Sequence, residues 1–255
     1  MTRARPRPVL LLLPALAAML LIAAGCPKRA AFKGPGNSAA ALDSALVAFE
    51  AGRFAQAEEA LTWVIFNFPG SREAADAQYW LAESHFRRGD YHEAQVEYEF
   101  YLRSFPNARY QQDANYKLGL AWLRSAPAGA RDQQPLNKAQ ELLSDFLLLY
   151  PDSELRPEVE QALAEIERRK TGRDFDVARL YHRAGEYRSA LVYFRFIAAS
   201  LTLEKWEPAD RLRFATCLAE TGEPTEARAL LEALVADPST AQYHSEARRL
   251  LDRLE

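Results

Sequence analysis

From Ala39 onward, apolar residues recur along the chain at the spacing of amphipathic helices. No segment shows the apolar–polar alternation that would predict a strand of good quality. A short pattern interrupts the helical spacing, in which Gly52 is followed by an aromatic residue at the second position and by Ala57 at the fifth. The pattern returns at Gly89, Gly185 and, with Pro in place of the aromatic residue, Gly222, and the first two glycines are 37 residues apart, as are the last two. This regularity predicts an array of similar helical units.

Each repeated segment has the composition of the turn in a helical hairpin. Glycine adopts a left-handed backbone at little cost and so ends the first helix, and the small alanine allows the second helix to approach closely. Pro69 lies 12 residues after Ala57, where it stops the second helix. Ala139 and Pro151 keep the same interval, which predicts a further hairpin with a turn lengthened over residues 125–133.

These hairpins predict an all-α solenoid of tetratricopeptide-type repeats, because no single repeat can bury its own apolar face. The five repeats are predicted at 38–71, 75–108, 112–153, 155–204 and 206–238, followed by a capping helix near 241–254. The fourth repeat is longer than the others. Residues 155–184 are predicted to form one long helix, with a kink at Gly172 left open.

The first 25 residues differ from the rest of the chain. A basic start is followed by an apolar run from Val9 to Ala24, which predicts a secretory signal. Its last residues, Ile22-Ala23-Ala24-Gly25-Cys26, resemble the bacterial lipobox, in which cleavage precedes a lipidated cysteine. We therefore expect a lipoprotein signal peptide over 1–25, lipidation at Cys26, and Pro27 in place of the Asp that marks inner-membrane retention. An ordinary secretory signal with an incidental cysteine is the alternative.

Residues 26–38 are rich in Gly, Pro and basic side chains and are predicted to form a flexible tether to a repeat domain over 39–255. Removing residues 1–25 removes three Arg and no acidic residue, which takes the net charge from −3 to −6. An acidic balance argues against nucleic acid as a partner. The remaining thiol, Cys217, is expected to be buried and structural.

Signatures of catalysis are missing from the sequence, which contains no G-x-S-x-G, H-E-x-x-H, P-loop or C-x-x-C motif. The four histidines are scattered without the carboxylate or cysteine neighbours of a metal site. We therefore expect no enzyme activity, no catalytic residue, no metal and no cofactor.

The first helices of the repeats are expected to line a concave groove that binds a peptide. Counting back from the turns assigns positions on the first helices of repeats one to four to this groove, and six of them are the predicted peptide contacts: Phe49, Tyr79, Phe86, Arg87, Tyr116 and Arg124. An apolar groove flanked by Arg suits an extended segment with aromatic side chains and a terminal carboxylate. The alternative is that the aromatic residues pack between repeats and that the Arg side chains pair with nearby acids.

The ordered set of lipobox and repeats resembles the BamD family, also called ComL or YfiO. Three stretches carry the resemblance: Phe68-Pro69-Gly70-Ser71 with Ala82-Glu83-Ser84; Arg131-Asp132-Gln133 with Leu149-Tyr150-Pro151-Asp152-Ser153; and Val177-Ala178-Arg179-Leu180-Tyr181 with Gly185. The resemblance implies an outer-membrane lipoprotein, facing the periplasm, of the β-barrel assembly machinery. Its implied partners are the POTRA domains of the barrel-forming subunit, bound by the C-terminal repeats, other lipoproteins of the machinery, and unfolded outer-membrane proteins, bound by the N-terminal repeats.

Two features depart from that family. Members usually carry an Arg eight residues after the glycine of repeat four, and here the position is Tyr193, with Arg195 nearby. Repeat four also lacks a closing Pro. The alternative function is a tetratricopeptide adaptor of the Tol–Pal division system, although such adaptors usually lack a lipobox and carry an N-terminal coiled coil.

Overall fold

The computed structural model describes residues 34–127 and 132–255, and within these ranges the regular structure is entirely helical. Five consecutive hairpins are followed by one closing helix, which confirms the all-α tetratricopeptide-type array. The helices are α1 Ser38–Glu50, α2 Phe54–Asn67, α3 Arg72–Arg88, α4 Tyr91–Ser104, α5 Gln111–Ser125, α6 Gln134–Leu149, α7 Arg156–Arg183, α8 Tyr187–Ser200, α9 Pro208–Thr221, α10 Pro224–Ala236 and α11 His244–Asp252. Two short 3₁₀ segments, Leu203–Lys205 and Pro238–Tyr243, precede α9 and α11.

The turn glycines end the first helices as the sequence predicts. Gly89 has a φ of 88°, its N–H donates to the carbonyl of Phe86 at 3.1 Å, and the next N–H donates to His85 O at 3.0 Å. Gly52, Gly185 and Gly222 also have positive φ. A side chain with a Cβ would strain this backbone, so each of these turns depends on its glycine.

Each second helix packs against its own first helix and against the first helix of the next repeat. Small residues permit these close contacts: Ala57, Ala94, Ala139, Ala190 and Ala227 on the second helices, with Ala45, Ala82, Ala178 and Ala215 on the first, are all fully buried. In repeat three the first-helix position is Gly119, and a Cβ added there would lie 2.7 Å from Cδ2 of Leu143. An alanine at this position would therefore require the Leu143 side chain to shift.

Helix α7 runs through Gly172 without interruption over 28 residues. Its first half belongs to the core of repeat three, where Val159 and Ile166 are fully buried. Its second half contributes Phe175 to the core that repeats four and five share. Near its middle, Arg169 donates to the carbonyls of Leu123 at 3.1 Å and Ala126 at 2.6 Å, which caps the end of α5.

The predicted signal peptide, Cys26 and most of the predicted tether lie outside the described residues, as does part of the lengthened turn of repeat three (128–131). Within the described part of the chain, none of the helices combines the length and the apolar character needed to cross a bilayer.

Candidate peptide-binding groove

The first helices form one layer of the array and the second helices form the other. Helix α1 contacts α3, α5 contacts α7, and α7 contacts α9. Lys117 of α5 and Glu83 of α3 connect the layer at its centre, with 3.0 Å between Nζ and Oε1. In solenoids of helical hairpins this inner layer forms an extended concave surface, and the six residues assigned to the groove all lie on α1, α3 and α5.

Phe49 lies in the contact between repeats one and two. Only 8% of the residue is exposed, and its ring packs edge-on against Phe54 at 5.4 Å and Trp80 at 4.9 Å. The guanidinium of Arg87 lies 5.9 Å from the ring centroid, over its face. Arg87 itself is exposed, and it has no ion-pair partner among residues 34–127 and 132–255. Its charge is thus available to a ligand.

Tyr79 occupies the corresponding contact between repeats two and three. It is 6% exposed, and its ring stacks on Tyr110 with the centroids 4.2 Å apart. Burial raises the pKa of Tyr79, and the negative charges of Glu83 and Asp113 raise it further. The ring is therefore a neutral part of the core.

Phe86 lies on the same helix as Tyr79, but it is only half-buried. Its ring packs against Tyr91 at 5.5 Å, and Nζ of Lys117 lies 5.0 Å from its centroid. The same ammonium pairs with Glu83, a buried carboxylate that also accepts a hydrogen bond from Tyr98 Oη at 2.6 Å. The sequence analysis did not assign Lys117 or Glu83 to the groove, because they are partners only through the stacking of repeats.

Tyr116 and Arg124 continue the surface on α5. Tyr116 is half-buried with its ring 6.3 Å from Phe146. Burial raises its pKa, Glu158 adds to this shift, and the charge of Arg124 opposes it. The Arg124 side chain is 48% exposed and pairs with Glu165 at 3.4 Å, an exposed ion pair that contributes little to stability.

The six groove residues thus differ in what they offer a ligand. Phe49 and Tyr79 belong to the packing between repeats, as the alternative interpretation expects of the aromatic residues. Phe86 and Tyr116 are accessible in part, and the two Arg side chains reach solvent. Peptide binding at this surface stays a prediction, and its direct contacts would come from Phe86, Arg87, Tyr116 and Arg124.

Repeat four exposes a second apolar surface, which the sequence analysis missed. Val192 and Phe196 lie one turn apart on α8 and are 67% and 65% exposed. On the same helix, the ring of Tyr193 stacks on that of Tyr181 with centroids 5.8 Å apart, which joins α7 to α8. Nearby Arg195 is held by Glu223 and Glu226 of the next repeat. The apolar i, i+4 pair on α8 was the signal in the sequence that could have identified this surface.

Other candidate chemistry is limited in the part of the chain that the structure describes. No group of three His, Cys, Asp or Glu side chains is placed to hold a metal ion among those residues. Cys217 is fully buried, and burial raises its pKa to about 12. Because the thiolate is the reactive form, Cys217 is a structural thiol, as predicted.

The fold defines a tetratricopeptide-type repeat protein. The model of the YfiO family, described as an outer membrane lipoprotein, matches residues 36–200, and the chain belongs to this family. No curated protein matches the chain. Among solved structures, a thermophilic tetratricopeptide protein of Thermus thermophilus is 18% identical, with a TM-score of 0.38 over 84% of this chain and 99% of that one. The assembly chaperone of RpL4 is also 18% identical, with a TM-score of 0.31 over 85% of this chain and 97% of that one.

Proposed function

We propose that this protein is a lipid-anchored scaffold on the periplasmic face of the outer membrane, within the machinery that assembles β-barrel proteins. It binds the POTRA domains of the barrel-forming subunit, other lipoproteins of the machinery, and unfolded outer-membrane proteins, and it acts by binding rather than by catalysis. The observation that carries the proposal is the match of residues 36–200 to a family of outer membrane lipoproteins. That match favours this role over an adaptor of the Tol–Pal system.

The client site in this proposal is the surface of the first three repeats. Phe86 and Tyr116 offer partly exposed rings to an aromatic side chain, and Arg87 and Arg124 offer guanidinium groups to a terminal carboxylate. Charge-assisted hydrogen bonds of this kind are the stronger ones. A few such contacts, less the cost of ordering an extended peptide, suggest an affinity of about micromolar. Weak binding suits a scaffold that passes its client on.

The docking surface for the barrel-forming subunit in this proposal is the exposed patch of repeat four. Exposed apolar clusters of this kind usually mark interaction sites, and the family resemblance assigns subunit docking to the C-terminal repeats. Here the stacked rings of Tyr181 and Tyr193, with Val192 and Phe196, take the place of the charged contact that an Arg at position 193 would make.

Charge substitutions on α8 test this assignment, and repeat two supplies a matched control. Val96 and Phe100 of α4 occupy the same repeat positions as Val192 and Phe196, and they are also exposed, at 63% and 41%. V192E with F196E in the full chain should weaken binding to isolated POTRA domains by at least about tenfold. V96E with F100E should leave the affinity close to that of wild type.

The comparison decides the proposal because both double variants add two charges to an exposed helix face. Circular dichroism should show the same helical melt for both proteins. An equal loss of affinity in the two variants, or no loss in either, would contradict docking through repeat four.

A further inference from the structure

The two most exposed large apolar side chains of the described residues occupy the same position in different repeats. Phe66 in the last turn of α2 is 77% exposed, and Leu148 in the last turn of α6 is 79% exposed. Each lies nine residues after the small alanine of its second helix, and Arg103 holds this position in repeat two. Exposure of this degree leaves each side chain without cover from its own repeat.

Phe66 lies at the edge of the array where the described chain begins. The N-terminus of α1 lies at this edge, since Ser38 Oγ donates to Glu73 of α3 at 3.1 Å, and α3 starts just after α2 ends. The loop before α5 lies there too, because Arg109 pairs with Asp76 in the first turn and a half of α3 at 3.2 Å. We call this region, with Phe66, Arg72, Arg103 and Arg109, the anchor edge.

The distance from the anchor edge to the membrane is limited by the length of the intervening chain. Ser38 follows the expected lipidation site, Cys26, by 12 residues. Twelve residues span at most about 40 Å when fully extended. A surface tethered so closely meets the bilayer at high effective concentration, so weak contacts are sufficient for it to rest there.

The anchor edge and the site at Leu148 differ in the sign of the exposed charges near the apolar side chain. Arg72 begins α3 five residues after α2 ends, Arg103 holds the position of Phe66 in the next repeat, and both are exposed. Basic side chains are attracted to anionic phospholipid headgroups. Around Leu148, by contrast, Asp145, Asp152 and Glu154 are exposed, and the basic side chain of the same turn, Arg156, pairs with Glu160 at 3.0 Å. Anionic headgroups repel these carboxylates, so lipid suits the edge of repeats one and two and not the end of repeat three.

We propose that the anchor edge contacts the surface of the membrane, with Phe66 in the interfacial layer and Arg72 and Arg103 at the phosphates. Aromatic side chains favour this layer, and Arg places its charge at the headgroups while its stem lies on apolar surface. The proposal rests on lipidation of Cys26, which is part of the proposed function. In this orientation of the array, the end of repeat three that carries Leu148 faces away from the lipid.

The test places an environment-sensitive nitrobenzoxadiazole dye at each of the two sites. F66C and L148C are made in the full chain, processed in cells, and reconstituted in vesicles of phosphatidylethanolamine and phosphatidylglycerol. The diacylglyceryl group blocks the thiol of Cys26 and burial protects Cys217, so the new cysteine is the residue that labels. The dye at position 66 should show blue-shifted emission and quenching by doxyl lipids, and the dye at position 148 should show neither.

A second arm tests the contribution of charge. Adding R72E and R103E to F66C should reduce the blue shift in anionic vesicles, and vesicles of phosphatidylcholine alone should reduce it in the parent. Aqueous emission at position 66 in protein that floats with the vesicles would overturn the membrane contact while leaving the anchor intact. A blue shift at both positions would contradict the claim that charge selects the anchor edge over the site at Leu148. A chain that fails to float would refute the anchor and this proposal together.

Discussion

Arg179 of α7 forms a two-point ion pair with Asp210 of α9. Its Nε donates to Oδ1 at 2.9 Å and its Nη2 donates to Oδ2, while Arg213 donates to Oδ1 at 2.7 Å. Asp210 is completely buried, and the hydrogen bond to Asp210 raises the pKa of Arg179. A buried carboxylate with two guanidinium partners thus joins repeats four and five, in addition to their apolar core.

D210A should lower the free energy of unfolding by at least about 2 kcal/mol, because it removes three hydrogen bonds to charged groups and leaves two partly buried Arg side chains without this carboxylate. D176A is the matched control, since Asp176 also pairs with Arg179, at 3.2 Å, but its side chain is 72% exposed. That variant should cost less than about 1 kcal/mol. Urea unfolding of both proteins measures the difference. Similar midpoints would show that the buried ion pair contributes no more to stability than the exposed one.

Two helical glycines should respond to alanine in opposite ways. G119A places a Cβ against the fully buried Leu143, so it should cost about 1–3 kcal/mol through overpacking. At Gly172 no atom beyond its chain neighbours and the local backbone of its own helix lies within 4 Å of the added Cβ. G172A should therefore stabilise α7 by about 0.5–1 kcal/mol. Thermal melts followed by circular dichroism give both values, and a stabilising G119A would mean that α5 and α6 are farther apart than described.

The accessible Arg pair of the groove should control affinity for a peptide carboxylate. R87E with R124E should reduce binding of a barrel-type C-terminal peptide by at least about tenfold, because two charge-assisted contacts become repulsive. Amidation of the peptide should cost wild type a similar factor. Fluorescence anisotropy with the full chain measures both. Unchanged affinity in the double variant, with the helical melt intact, would leave the aromatic residues as packing alone.

The anchor is tested at the expected lipidation site. C26A should release a soluble or uncleaved protein, because it removes the attachment site of the diacylglyceryl group. That group carries two acyl chains, which anchor stably, whereas a single chain binds only marginally. Incorporation of radiolabelled palmitate reports the modification directly. Wild-type protein that is cleaved yet takes up no label would show that the segment is an ordinary secretory signal.

The sequence was sufficient for the hairpins because each of their signals is local. A glycine that needs positive φ at 52, 89, 185 and 222, and small alanines at a constant interval after it, act within a few residues of one turn. The long helix α7 followed from an apolar stripe on one segment, and its continuity through Gly172 was left open because a glycine permits a kink without requiring one.

The six groove residues could be assigned to the first helices from the repeat spacing, but their exposure could not be predicted. A repeat position states which side of a helix a residue occupies, whereas burial depends on the side chains that the next repeat brings against it. Trp80 covers Phe49 and Tyr110 covers Tyr79, and each of these pairs joins different repeats or the segments that connect them. Arg87 stays accessible because no acidic residue of the described chain pairs with it.

By itself, the sequence determined the helical class, the repeat boundaries and the family resemblance, since these depend on periodicity and on residues that are neighbours along the chain. Only the tertiary structure decided that Glu83 meets Lys117, that Asp210 meets Arg179, and that Val192 and Phe196 are left uncovered. The partners in those two ion pairs lie more than 30 residues apart. Their contact depends on the angle at which one repeat stacks on the next, and that angle is set by the packing of all the side chains between them.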